Sequence, residues 1–223
     1  MMSPDQISLN ETPLDVPLDN PLPLDNPLSR LPEVDSATMS RLHEALTAKA
    51  ADAGLLDLAY RTVDSPLGSL LLVTSDRGLT RVAFASEGHD QVLTALASTV
   101  SPRILRAPGR LDEPARELDE YFAGIRRSFE LPLDLTTTGR FRRAVQLLLP
   151  GIAYGTTVSY GELAARAGRP AAVRAVGTAC ATNPLPIVVP CHRVLRSDGS
   201  LSGYLGGLPA KRALLDLESR ASA

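Results

Sequence analysis

The run Asn183-Pro184-Leu185-Pro186-Ile187-Val188-Val189-Pro190-Cys191-His192-Arg193-Val194 holds the most concentrated chemistry in this 223-residue chain. Its prolines and apolar residues read as an extended segment entering a tight turn, a device that can hold a side chain rigidly at a pocket floor. The side chain delivered there is a thiol. A cysteine is a poor nucleophile while protonated and becomes reactive when a neighbouring base or positive field favours the thiolate. Here His192 follows Cys191 directly. Adjacent Cys and His carry little weight alone, because chance neighbours are common; the surrounding blocks give the pair its meaning.

Upstream of this run the pattern is helical. Gly139 to Leu149 places Phe141, Val145, Leu148 and Leu149 on one face. Ser159 to Ala167 ends at Gly168, a residue suited to a left-handed helix stop. Pro170 then reads as the first residue of a helix running to about Ala181. Two helices joined by so short a link make a helix-turn-helix. In the second, Val173, Val176 and Cys180 fall on the core side, and the remaining positions are small: Ala171, Ala172, Ala175, Gly177, Thr178 and Ala181. Glycine weakens a helix, so Gly177 suggests that something approaches the backbone closely. Readers of the major groove use polar side chains, and this helix offers mainly Arg174.

Charge is divided unevenly. From Gly139 onward there are 11 Lys+Arg against 4 Asp+Glu, a net of +7; Met1 to Thr138 has 12 against 21, a net of −9, which together give the chain's −2. A basic carboxy-terminal half suits phosphate binding. Arginine is abundant throughout, so charge alone leaves DNA binding open.

The blocks Gly155-Thr156-Thr157-Val158-Ser159-Tyr160-Gly161-Glu162-Leu163-Ala164, Arg174-Ala175-Val176-Gly177, Asn183-Pro184, Pro190-Cys191-His192-Arg193 and Gly203-Tyr204-Leu205-Gly206-Gly207-Leu208, closed by Glu218, stand in an order that resembles the O6-alkylguanine-DNA alkyltransferases. The likeness is dense from about Phe141 to Glu218 and looser from about Leu58 to Leu135. It implies an α+β protein: a small ribonuclease H-like domain of sheet and helix, then a mostly helical, winged-helix-like domain with the helix-turn-helix. It implies DNA repair by irreversible, single-turnover transfer of the alkyl group from O6-alkylguanine to Cys191, with O4-alkylthymine open as a second substrate. The partner is double-stranded DNA bearing alkylated guanine, bound by a monomer.

The resemblance also implies roles. His192 and Glu218 form a relay that draws off the thiol proton through a water and lowers the effective thiol pKa. Tyr160 assists at N3 of the leaving guanine. Asn183 ties the recognition helix to the cysteine segment. Carbonyls of Cys191 and Val194 select the guanine amino group, and Tyr204, Leu205 and Gly206 form a lid whose backbone N–H faces O6. Docking is through the minor groove, with Ala175, Gly177 and Thr178 against the DNA and Arg174 filling the space of an extruded base. Extrusion is also a physical need, since O6 of a stacked guanine lies beyond a pocket cysteine. Leu205 departs from the family, which often has a small or hydroxylated residue there; a leucine narrows the pocket toward bulky alkyl groups.

Residues 1–35 repeat Pro-Leu-Asp and Asn-Pro-Leu units and read as a disordered, Pro-rich acidic tail, because proline at this density lets neither helix nor sheet propagate. Residues 36–54 read as an amphipathic helix with Met39, Leu42, Leu46 and Ala50 at helical spacing, capped by Ser36 or Ser40 and ending at Gly54. In residues 55–136, the scaffold domain, Ala59–Val63, Ser69–Thr74 and Leu79–Ala85 read as strands joined by hairpin turns. Helices follow near His89–Thr99 and Glu113–Ile125, then a short strand near Phe129–Leu133. Residues 137–223 form the DNA-binding and transfer domain.

No apolar run approaches the roughly 18 residues that span a bilayer, and no secretory pattern opens the chain, so a membrane partner is not expected. Two cysteines suit a reducing, cytoplasmic setting rather than a disulfide scaffold. No zinc-ligand cluster is evident, and neither metal nor cofactor is implied. Cys180 reads as a small buried hydrophobe, His43 and His89 as surface residues. Two rivals stand beside transfer. A lesion-binding alkyltransferase-like protein would flip the base without transfer, but would lack Cys191. A cysteine hydrolase would need a remote histidine and an oxyanion hole, and no Gly-rich hole motif is seen.

Overall fold

The computed structural model describes residues 35–220. The tail assigned to residues 1–35 lies outside the described residues except for Asp35. Among the described residues no helix is long and apolar enough to cross a membrane.

The N-terminal unit contributes residues 35–41, the first turns of α1 (Ser36–Asp52). Asp35, not Ser36 or Ser40, caps this helix: its carboxylate accepts from Thr38 N at 2.8 Å and from Thr38 Oγ1 at 2.9 Å. A carboxylate satisfies an orphan helix donor and also suits the positive end of the helix dipole.

The second unit begins at Leu42. Its portion of α1 buries little: Leu42 and Leu46 are 59% and 53% exposed, and Ala50 packs against Leu56, Ala59 and Ala107. His43, expected at the surface, bonds through Nε2 to Arg106 O. Next come β1 (Leu58–Val63), β2 (Leu70–Ser75), β3 (Gly78–Phe84), α2 (His89–Thr99) and β4 (Ile104–Arg106). The sheet order is β3-β2-β1-β4, with β1–β2 and β2–β3 antiparallel and β1–β4 parallel. β4 was not anticipated: three residues are too few for a periodic signal, and pairing with β1 holds them.

β2 is apolar on both faces because both are covered. Leu70 and Leu72 enter the main core, while the alternate Leu71 and Val73 meet Val92, Leu93 and Leu96 of α2. The turn between β2 and β3 closes at Gly78 (φ +132°), where a Cβ would lie 2.2 Å from Pro132 O. The strand expected at Phe129–Leu133 is a single parallel bridge, Leu79 to Leu133; Leu79 N donates to Pro132 O and Asp134 N to Leu79 O.

α3 (Asp112–Phe122) carries Leu118 and Tyr121 into the main core, which continues unbroken into the carboxy-terminal elements. These are α4 (Arg140–Leu148), β5 (Val158–Ser159), α5 (Tyr160–Arg166), α6 (Val173–Ala181), β6 (Val194–Leu195) and α7 (Gly207–Arg220). α5 begins with a capping box, Ser159 Oγ accepting from Glu162 N while Glu162 accepts from Ser159 N. Gly168 at φ +69° ends it. Pro170 does not open α6. It sits second in a turn closed by Ala172 N to Arg169 O at 2.8 Å, a position that proline's fixed φ favours, and the helix starts three residues later. Consequently Val173 is exposed, and Val176, Ala179 and Cys180 form the buried face.

Candidate active site

Cys191 opens a single 3-10 turn, Cys191–Arg193, directly after Pro190. Backbone bonds fix the approach, Val189 N to Leu185 O and Cys191 N to Val189 O, both 2.8 Å. Ile187 is held at φ +75°, unfavourable for a β-branched residue, so surrounding packing must impose this path. Asn183 is the clamp. Fully buried at the end of α6, it accepts from Leu185 N at 3.1 Å and donates from Nδ2 to Val189 O at 2.8 Å and to Cys191 Sγ at 3.2 Å.

The thiol is 3% exposed. Burial pushes its pKa up to about 11, opposed by the Asn183 amide and the Lys211 ammonium. This corrects the expectation of a lowered thiol pKa. Removing the thiolate's hydration costs more than the nearby dipoles return, so the resting sulfur carries its proton. Cys180, also buried, is raised to about 12, chiefly by burial.

His192 and Glu218 meet as expected, Nε2 to Oε1 at 2.8 Å, both inaccessible to solvent. Burial disfavours the charged carboxylate, but hydrogen bonds from His192 and Arg193 outweigh it and hold its pKa down at about 2. An ionised carboxylate only accepts, so the shared proton sits on His192 Nε2 and Nδ1 carries the lone pair. Nδ1 is buried and has no hydrogen-bond partner among the described residues. Burial also lowers the His192 pKa, with the Glu218 bond opposing. A neutral imidazole with a free lone pair beside a protonated thiol can take that proton.

Arg193, Tyr121 and Gly155, none of them with an assigned role, also bond Glu218. Arg193 donates to Glu218 from Nε and Nη2 and to Ile152 O from Nη1 at 2.7 Å. Tyr121 OH donates to Glu218 Oε1 at 2.7 Å. Gly155 N adds a bond at 3.2 Å. Lys211, 1% exposed, donates to Val194 O at 2.7 Å, occupying one side of a carbonyl expected to face guanine. Lys211, Leu214 and Glu218 form one buried stripe of α7. Two charged residues at the i, i+7 positions of an apolar stripe were a readable signal. Tyr121 gave none, being one of two adjacent aromatics at the end of α3.

Tyr160, half-buried at the start of α5, bonds through its hydroxyl to Ser202 Oγ at 2.5 Å. Burial raises its pKa against the Ser202 bond, so it remains a donor. Tyr204 stands edge-on to His192, centroids 6.4 Å apart, and Leu205 and Gly206 continue the loop into α7. Arg174, Ala175 and Thr178 are exposed on the outer face of α6, and a Cβ on Gly177 would meet nothing within 4 Å. That face therefore presents open backbone, one turn from the clamp at Asn183.

Residues 140–220 match the family described as 6-O-methylguanine DNA methyltransferase, DNA binding domain, and residues 58–135 match its ribonuclease-like domain. The methylated-DNA–protein-cysteine methyltransferase of Mycolicibacterium paratuberculosis is 43% identical over 165 residues, covering 74% of this chain and 94% of that protein. The crystal structure of Mycobacterium tuberculosis O6-methylguanine methyltransferase superposes with a TM-score of 0.65 at 40% identity, over 74% of this chain and 95% of that one. A structure of Mycobacterium tuberculosis OGT in complex with DNA gives 0.64 at 40% identity, over 73% and 94%.

Proposed function

This chain belongs to the 6-O-methylguanine DNA methyltransferase family, and on that premise we propose that Cys191 is the atom-for-atom acceptor in its repair of alkylated DNA. The activity is direct reversal, so the lesion leaves without excision and the protein is consumed. The substrate is duplex DNA bearing O6-alkylguanine, with O4-alkylthymine as a secondary lesion, and the acting species is a cytoplasmic monomer.

The chemistry balances within the pocket. His192 Nδ1 takes the Cys191 proton, through a water, as sulfur attacks the alkyl carbon. The S–C bond forms and the C–O6 bond breaks, leaving its electron pair on the guanine. Tyr160 hydrogen-bonds N3 and spreads that charge. Glu218 orients His192 and stabilises the imidazolium that forms. The single observation that carries this reading is the buried line Asn183–Cys191 and His192–Glu218, a held thiol beside an oriented neutral base. A buried thiol at about 11 fits a nucleophile that is deprotonated only as it reacts.

Residues 55–136 act as scaffold and 137–223 as the DNA-binding and transfer part. The open outer face of α6, formed by Ala175, Gly177 and Thr178, supports groove docking, with Arg174 as the residue that occupies the extruded base's place. The test is single-turnover incubation with a duplex carrying radiolabelled O6-methylguanine. Label moving to protein in at most equimolar amount is expected. Tight binding with the label retained on DNA would instead identify a lesion-binding module.

A further inference from the structure

β3 is an edge strand of the sheet, and its outer edge bonds to segments outside the sheet, at Leu79 to the Pro132–Asp134 stretch and at Val82 to Pro184. Val82 N donates to Pro184 O at 2.9 Å, within the segment that leads to Cys191. Two residues on, along the same face, Phe84 is 3% exposed. Its ring meets Tyr204 edge-on, with centroids 5.7 Å apart and planes at 66°. A Cβ on Gly206 would lie 2.8 Å from Phe84 Cε1 and Cζ and 2.9 Å from Cδ1, closer than real Cβ contacts. Gly206 is not among the positive-φ glycines. Space against one ring, rather than backbone conformation, therefore demands glycine there.

We propose that Phe84 is a positioning residue for alkyl transfer: its ring is the seat on which the Tyr204–Gly206 lid rests, and it sets the lid's height over the thiol. The inference rests on the function proposed above. Phe84 touches no reacting atom. It acts through Tyr204, whose ring in turn borders His192, and through the backbone at Gly206. Attack in line on an alkyl carbon tolerates little displacement, and about 1 Å of misplacement can cost about 100-fold in rate. A residue in the sheet thus contributes to the chemistry of the helical half.

The test is a double-mutant cycle on transfer from free O6-benzylguanine at saturation, which removes DNA binding from the measurement. Gly206→Ala is expected to slow transfer by about tenfold or more, since its new methyl meets the ring. Phe84→Ala is expected to slow it by roughly 10- to 100-fold while the pH profile keeps its shape. The decisive species is Gly206→Ala combined with Phe84→Ala, which should be no slower than Phe84→Ala alone, because the ring that the new methyl meets is gone. A role limited to stability would make the double variant slower and lower in Tm than either parent. Should Phe84→Ala unfold, Phe84→Leu replaces it in the same cycle, with partial rescue expected. Multiplicative effects in a folded set, or wild-type rates for Phe84→Ala, would overturn the assignment while leaving the function intact. A wild-type protein that takes no alkyl group would overturn both.

Discussion

Arg193 and Glu218 form a two-pronged ion pair behind the thiol, with Nε donating to Oε2 and Nη2 to Oε1, each at 2.9 Å. Such paired geometry is among the stronger charge-assisted contacts. It fixes the carboxylate that His192 also uses, so one group serves both the fold and the base.

That shared use has a consequence for acid stability. The Glu218 pKa falls from 4.5 to about 2 on folding. The resulting stability is fully present above the unfolded value of 4.5 and is lost as pH falls through about 2, amounting to roughly 3 kcal/mol. Glu218→Gln should be less stable at pH 7 by roughly 3–5 kcal/mol, because Arg193 loses its buried partner. The gap should shrink between pH 5 and 2, as urea denaturation at each pH would show. A constant gap would mean that the carboxylate is not ionised in the folded protein.

The pH dependence of transfer should follow His192. Its pKa is lowered by burial, and Cys191 is raised to about 11. At neutral pH the pair is thiol and neutral imidazole. Transfer to free O6-benzylguanine should therefore fall only below the ordinary histidine value of about 6.5 and stay level through pH 7 to 9. His192→Ala should lose that plateau, run about 100- to 10,000-fold slower at pH 7, and recover about tenfold per pH unit toward 11 as hydroxide replaces the base. A level profile in His192→Ala would remove the imidazole from the proton path.

Much of this arrangement was legible in the chain. The blocks around Asn183, Cys191 and Glu218 are ones that the fold brings together, and the strand read at Ser69–Thr74 between two turns is the central strand β2. What escaped reading depends on contacts far apart in sequence. Tyr121 reaches Glu218 across 97 positions, and no local pattern marks such a bond. β4 exists only by pairing with β1. The Cys191 pKa follows from burial, which sequence does not state, so adjacency to His192 suggested the wrong direction. Pro170 fits both a helix start and the second place of a turn, and the Ala172 to Arg169 bond decided for the turn.

Arg174 lies exposed near the start of α6, beside the small outer face of Ala175, Gly177 and Thr178. If it fills the space of a flipped base, its loss matters only where flipping is required. Arg174→Ala should slow saturating repair of duplex by roughly one to three orders of magnitude, in line with an unstacking cost of a few kcal/mol. Reaction with free O6-benzylguanine should be nearly unchanged. A defect cured by raising DNA concentration would make Arg174 a backbone contact.

The central claim is that the alkyl group ends on Cys191 and nowhere else. The most direct measurement is intact mass and peptide mapping of the protein after reaction with an O6-methylguanine duplex, run beside Cys191→Ala. The expected result is a gain of one methyl group per protein, located on the peptide containing Cys191, with no gain in Cys191→Ala although that variant still binds the lesion duplex. A methyl group on Cys180, or a methylated Cys191→Ala protein, would contradict the claim.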